Sequence, residues 1–97
     1  MMAIEVASFR LRDGADESAF IAADQRVQTE FFYLRPGLVR RTTARGSDGE
    51  WLVVTLWGSA EEAEAAAAVA AVDPVHTAFM AHVDADSFSA KRFVSLD

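Results

Sequence analysis

The stretch from Trp51 to Trp57 constrains the rest of the chain more than any other. It is apolar, β-branched or aromatic at every position, so it carries water-avoiding side chains at both strand parities. A strand of that kind sits in the middle of a sheet that is covered on both faces. Gly58 ends it. Ser59 and Glu62 then form the Ser-x-x-Glu signature in which a hydroxyl and a carboxylate satisfy the free N–H groups of a helix start. A buried central strand that feeds a helix is therefore the fixed point of the fold.

The other elements fall into place around it. Residues 3–11 alternate as a first strand, Ile4 and Val6 on one side and Phe9 and Leu11 on the other, ending at Asp13 and Gly14. A helix is expected over 16–34, with Asp16 as its cap and Glu17 at the positive end of its dipole. Its apolar stripe is Phe20, Ala23, Val27, Phe31 and Leu34; Asp24 and Gln28 flank the stripe one turn apart. Pro36 and Gly37 stop it. Leu38 to Arg45 form a second strand, with Val39, Arg41, Thr43 and Arg45 on one face and Leu38, Arg40, Thr42 and Ala44 on the other. Gly46 to Gly49 make the hairpin loop into the Trp51–Trp57 strand. The alanine-rich helix after Ser59 is expected to pack closely, since alanine allows close backbone approach and has the best helix propensity. Asp73 caps a third helix over 74–83 with Pro74 at its first position, and its stripe is Val75, Ala78, Phe79 and His82. A last strand spans 87–96.

The order β-α-β-β-α(α)-β is the split βαβ, ferredoxin-like arrangement, an α+β fold with a four-stranded antiparallel sheet. Both crossovers place helices on one face of that sheet, which leaves the other face of the Trp51–Trp57 strand uncovered. A second copy of the sheet is the simplest cover, and a homodimer is expected. The 97 residues make one domain, 1–97. An apolar content of 52% is high for so short a chain, consistent with some of it lying in an interface.

Composition narrows the chemistry. With no cysteine there is no disulfide, thiolate or zinc–thiolate site. The two histidines are scattered, so neither a metal nor another cofactor is expected. A net charge of −6, with eight Arg and one Lys spread along the chain, argues against nucleic acid as a partner. No apolar run is long enough for a membrane span, and no leader-like segment opens the chain; a cytoplasmic protein is expected.

Pro36-Gly37, the hairpin into Trp51–Trp57, Trp57-x-Ser59-x-Glu61 and the strand after Asp73-Pro74 together resemble the dimeric α/β-barrel superfamily. Within it, the chain resembles the small antibiotic-biosynthesis-monooxygenase-like domains. The resemblance spans the whole chain and implies two sheets packed face to face in a dimer, with a pocket in each subunit. It implies cofactor-free oxygenases, haem-degrading enzymes, isomerase-like proteins or proteins without a known reaction, so fold does not decide function. The haem-degrading branch uses an Asn late in the first strand, a Trp in the second helix and a His in the next. Here Ala7 stands at the first position, the second helix has alanine, and the chain contains no Asn. Haem turnover is therefore not expected.

Several residues have both a chemical and a plain structural reading. Asp24 could act as a base on a phenol or enol from the edge of a pocket, with Gln28 beside it, or simply pair with a strand arginine. His82 could be a second base or a satisfied core histidine. Trp57 and Trp51 share a strand face and could stack a planar ligand or pack the core. Arg41 could hold a carboxylate or enolate oxygen or be an edge charge. His76 is expected at a pocket rim and Phe31 among the pocket residues. Asp24, Gln28, Trp57 and His82 are expected to converge on an apolar cavity between the first and third helices and the sheet. The functional readings are a cofactor-independent monooxygenase-like enzyme on an aromatic or enolic substrate, a non-catalytic binding or stress-associated dimer, or an interaction domain whose pocket is filled by side chains.

Overall fold

In the computed structural model, which describes residues 1–97, the chain runs β1 (Ala3–Arg10), α1 (Glu17–Glu30), β2 (Leu38–Arg45), β3 (Glu50–Trp57), α2 (Ala60–Ala70), α3 (Pro74–Met80) and β4 (Ser89–Val94). Short 3-10 turns lie at Phe32–Leu34 and Ala85–Ser87. The sheet order is β2-β3-β1-β4, and every neighbouring pair is antiparallel. This is the ferredoxin-like fold the sequence pattern requires.

The helix starts are held by the side chains expected to hold them. Asp16 accepts from the Ser18 N–H at 3.1 Å. Ser59 Oγ accepts from the Glu62 N–H at 3.2 Å and donates to its carboxylate at 3.1 Å. Asp73 Oδ1 accepts from the N–H groups of Val75 and His76 at 2.9 Å each. Such caps are worth about 1 kcal/mol apiece. Gly37 has a φ of 85°, and a Cβ there would collide with the Glu62 carboxylate. Its carbonyl also accepts from Gly58 N at 2.8 Å, so the turn before β2 is locked to the start of α2.

On the helix-facing side, the rows across the sheet are Leu38–Trp57–Ala3–Val94, then Arg41–Thr55–Glu5–Arg92, then Thr43–Val53–Ala7–Ala90. The core lies here: Phe20 of α1 sits 4.8 Å from the Trp51 ring and 5.5 Å from the Phe79 ring. On the other side the rows are Arg40–Leu56–Ile4–Phe93 and Thr42–Val54–Val6–Lys91, followed by Ala44–Leu52–Ser8–Ser89. No helix covers this apolar centre, and Leu52 and Phe93 are 37% and 51% exposed.

Several boundaries differ from expectation. α1 ends at Glu30, and the chain tightens into the 3-10 turn, so Leu34 leaves the apolar stripe and is exposed. β1 ends at Arg10, and Leu11 makes only an isolated bridge to Val83. α3 stops at Met80, before His82, and β4 is trimmed to Ser89–Val94. In β2 a bulge between Leu38 and Arg40 puts Leu38 on the helix side with Arg41 and leaves Val39 exposed, against simple alternation.

Candidate functional site

A cavity of about 520 Å³ lies between α2, α3, the Phe32–Leu34 turn and the sheet, within the size range of small-molecule sites. Most of its wall is apolar. Ala63, Ala66, Ala67 and Ala70 of α2 close one side. Close packing of this helix was expected, but methyl groups are too short to fill the space over the sheet. The row of alanines holds the volume open.

The floor carries the polar groups, the row Arg41–Thr55–Glu5. Arg41 is the unusual one, because its side chain is only 1% exposed. Its Nη2 donates to Asp24 Oδ1 at 2.9 Å and its Nη1 to Gln28 Oε1 at 3.1 Å. The guanidinium lies 4.7 Å from the Phe32 ring centre and 5.4 Å from that of Phe79. Burial holds its pKa below the ordinary value while Asp24 opposes that shift, and a guanidinium remains charged throughout. Its Nε is buried without a hydrogen-bond partner. An unpaired buried donor costs roughly 1–3 kcal/mol, which the fold retains here.

His76 of α3 forms part of the wall. Its ring stands among Phe31, Phe32 and Phe79 at 5.4, 6.0 and 6.4 Å. Burial pushes its pKa below 6.5, with the Arg41 charge acting the same way and Asp73 opposing. The result is a neutral imidazole at pH 7. Glu5, the other ionisable floor group, is already engaged: Trp57 Nε1 donates to its Oε1 at 2.7 Å, and Arg92 Nε and Nη2 donate to its Oε2 at 3.1 and 3.0 Å.

The structure thus brings Trp57, Arg41, His76 and Phe31 to one cavity. The other four predicted residues do not line it. Asp24, 16% exposed, stands behind Arg41 and also accepts from Thr43 Oγ1 at 2.8 Å. Gln28 bridges Arg41 to the Tyr33 hydroxyl, to which its Nε2 donates at 2.7 Å. Trp51 belongs to the core under Phe20, and Arg45 lies over its ring. His82, beyond the end of α3, packs its ring 6.2 Å from that of Phe20. The cavity also lies against α2 and α3, whereas the first helix contributes only its C-cap, Phe31. Thr55, Glu5 and Phe32 were not singled out from sequence. Counting outward from a Gly46–Gly49 loop places Arg41 opposite Val54; in the structure Arg45 pairs with Trp51, and this one-residue shift puts Arg41 opposite Thr55, while the turn that brings in Phe32 had no sequence signal.

Neither a family model nor a curated protein matches the sequence. Solved structures do. SnoaB, a cofactor-independent oxygenase from Streptomyces nogalater, superposes with a TM-score of 0.81 at 21% identity, over 99% of this chain and 94% of that one. A candidate antibiotic biosynthesis monooxygenase from Nitrosomonas europaea gives 0.76 at 12% identity, over 98% and 90%. A dimeric ferredoxin-like protein of unknown function from a Jannaschia species gives 0.71 at 14% identity, over 98% and 100%. At these identities the likeness establishes the ferredoxin-like fold alone. No helix is long and apolar enough to cross a membrane.

Proposed function

We propose that the protein is a homodimer that binds a small apolar or aromatic molecule in each subunit and acts as a cofactor-independent monooxygenase-like enzyme on an aromatic or enolic substrate. The observation that carries this reading is the cavity of about 520 Å³ whose walls are apolar and which holds a neutral, half-buried imidazole, His76, beside the buried cation Arg41. A base in an apolar cavity can take the proton of a phenol or enol, and the resulting anion is electron-rich enough to react with dioxygen. Oxidation of an activated methylene to a carbonyl by one dioxygen yields one water and draws all its electrons from the substrate. His76 is the proposed base. Asp24, its charge already shared between Arg41 and Thr43, is proposed to position Arg41.

The homodimer is supported by the uncovered apolar rows through Leu56, Ile4, Val54 and Val6, and by the dimeric ferredoxin-like neighbour. The test is oxygen uptake with an enolisable polycyclic phenol in the presence of a chelator. Protein-dependent uptake that persists with chelator and is lost in a folded His76→Phe variant is the expected result. Thermal stabilisation by such compounds without any uptake would favour the second reading, a non-catalytic binding module. Neighbours of unknown function leave room for it.

A further inference from the structure

We propose that Glu5 is the residue by which the cavity chooses its ligand: its carboxylate accepts a hydrogen bond from the bound molecule, and aromatic molecules that carry a protonated amine are preferred over neutral or acidic ones of the same shape. The inference rests on the reading of the cavity as a small-molecule site and leaves the role of His76 as it stands.

Arg41 and Glu5 both belong to the floor, but a ligand meets only one of the two charges. The Arg41 side chain is 1% exposed. Both of its Nη atoms are turned to α1, and Phe32 and Phe79 cover the guanidinium. The Glu5 side chain is 33% exposed. The floor therefore offers an incoming molecule a carboxylate and not a cation.

That carboxylate keeps room for one more donor. An ionised carboxylate has about four acceptor sites. Arg92 Nε and Nη2 fill two on Oε2, and Trp57 Nε1 fills one on Oε1, so Oε1 has one left. Trp57 lines the cavity too, and its bond holds Oε1 at the lining. Arg92 does not belong to Glu5 alone, since its Nη1 also pairs with Glu64 at 3.4 Å.

The floor also sets which end of the ligand carries the amine. Glu5 and Arg41 flank Thr55 in one row, two strand spacings or about 10 Å apart. His76 stands toward the Arg41 end, beside the same Phe32 and Phe79 rings that cover the guanidinium. A ligand of about that length lies along the floor with its donor at Glu5 and its other end at His76. A hydroxyl there makes an ordinary hydrogen bond, whereas an ammonium makes a charge-assisted one roughly twice as strong. A ligand carboxylate meets a like charge.

The test compares three naphthalenes of one shape, 1-naphthylmethylamine, 1-naphthylmethanol and 1-naphthoic acid, by titration calorimetry at neutral pH. The wild-type protein is expected to bind the amine at least about five-fold more tightly than the alcohol, with the acid weakest. A net charge of −6 favours cations at any site, so the variant assigns the preference to Glu5. Glu5→Gln keeps the shape and an acceptor for Trp57; it should bind the alcohol as before and bring the amine down to it. Should Glu5→Gln fail to fold by circular dichroism, Arg92→Gln is read in its place. That variant frees Oε2 from its cation and should widen the preference for the amine, and an unwidened preference there overturns the proposal. Equal wild-type affinity for amine and alcohol, or tightest binding of the acid, overturns the role of Glu5 and leaves the cavity reading standing. A full preference in folded Glu5→Gln also overturns it. Binding of none of the three overturns both Glu5 and the cavity reading.

Discussion

At the scale of single residues, the burial of Arg41 organises the site, and its consequences are measurable in the folded state. Removing one partner of a buried ion pair strands the other charge, typically at about 3–5 kcal/mol. Asp24 keeps some contact with water, so Asp24→Ala is expected to cost about 3 kcal/mol in urea unfolding. A loss under about 1 kcal/mol, the worth of an exposed pair, would contradict the geometry. His76 gives a pH signature. Its folded-state pKa lies below 6.5, so between the two values the unfolded chain binds more protons and stability rises with pH. The protein should be at full stability above pH 6.5 and lose part of it as pH falls through the folded value. His76→Leu should flatten that loss in unfolding titrations above pH ~5, before the carboxylates protonate. Both residues were visible in the sequence, but their roles were not. Helical spacing placed Asp24 on the flank of a stripe without saying whether a pocket or an arginine lay opposite. Histidine position within α3 depends on where that helix stops, and the stop at Met80 gave the cavity to His76 rather than His82.

At the scale of elements, the strands and helix starts were legible because their signals are local: alternation, caps, Pro36-Gly37 and the hairpin loop. The differences came from interactions that sequence distance hides. The bulge at Leu38/Arg40 re-phases one end of β2, and nothing in the alternating pattern announces it. The alanine run of α2 was plain to see, yet small side chains serve close packing and open space equally well until the opposing surface is known. That ambiguity is testable. Ala70 is half-buried on the cavity wall, so Ala70→Leu should fill part of the volume, leave the melting temperature within a few degrees of wild type, and abolish thermal stabilisation by aromatic ligands. Retained ligand stabilisation would place the binding site elsewhere.

At the scale of the whole molecule, the doubly apolar β3 strand foretold a sheet with one face too few covered, and the chain indeed leaves Leu52, Val54, Leu56 and Phe93 without a helix. A charge at the middle of that face should separate the proposed dimer: Leu52→Glu is expected to sediment as a folded monomer at concentrations where wild type is dimeric. A wild-type monomer at micromolar concentration would remove the assembly. The methyl-lined cavity wall has a further consequence, which is thermodynamic. Alanine side chains have no rotamers to lose, and the rings that face them are already fixed by packing, so the cavity is preformed and a ligand need not order it. Binding should therefore show a negative heat-capacity change, the calorimetric signature of apolar surface buried against a preformed wall.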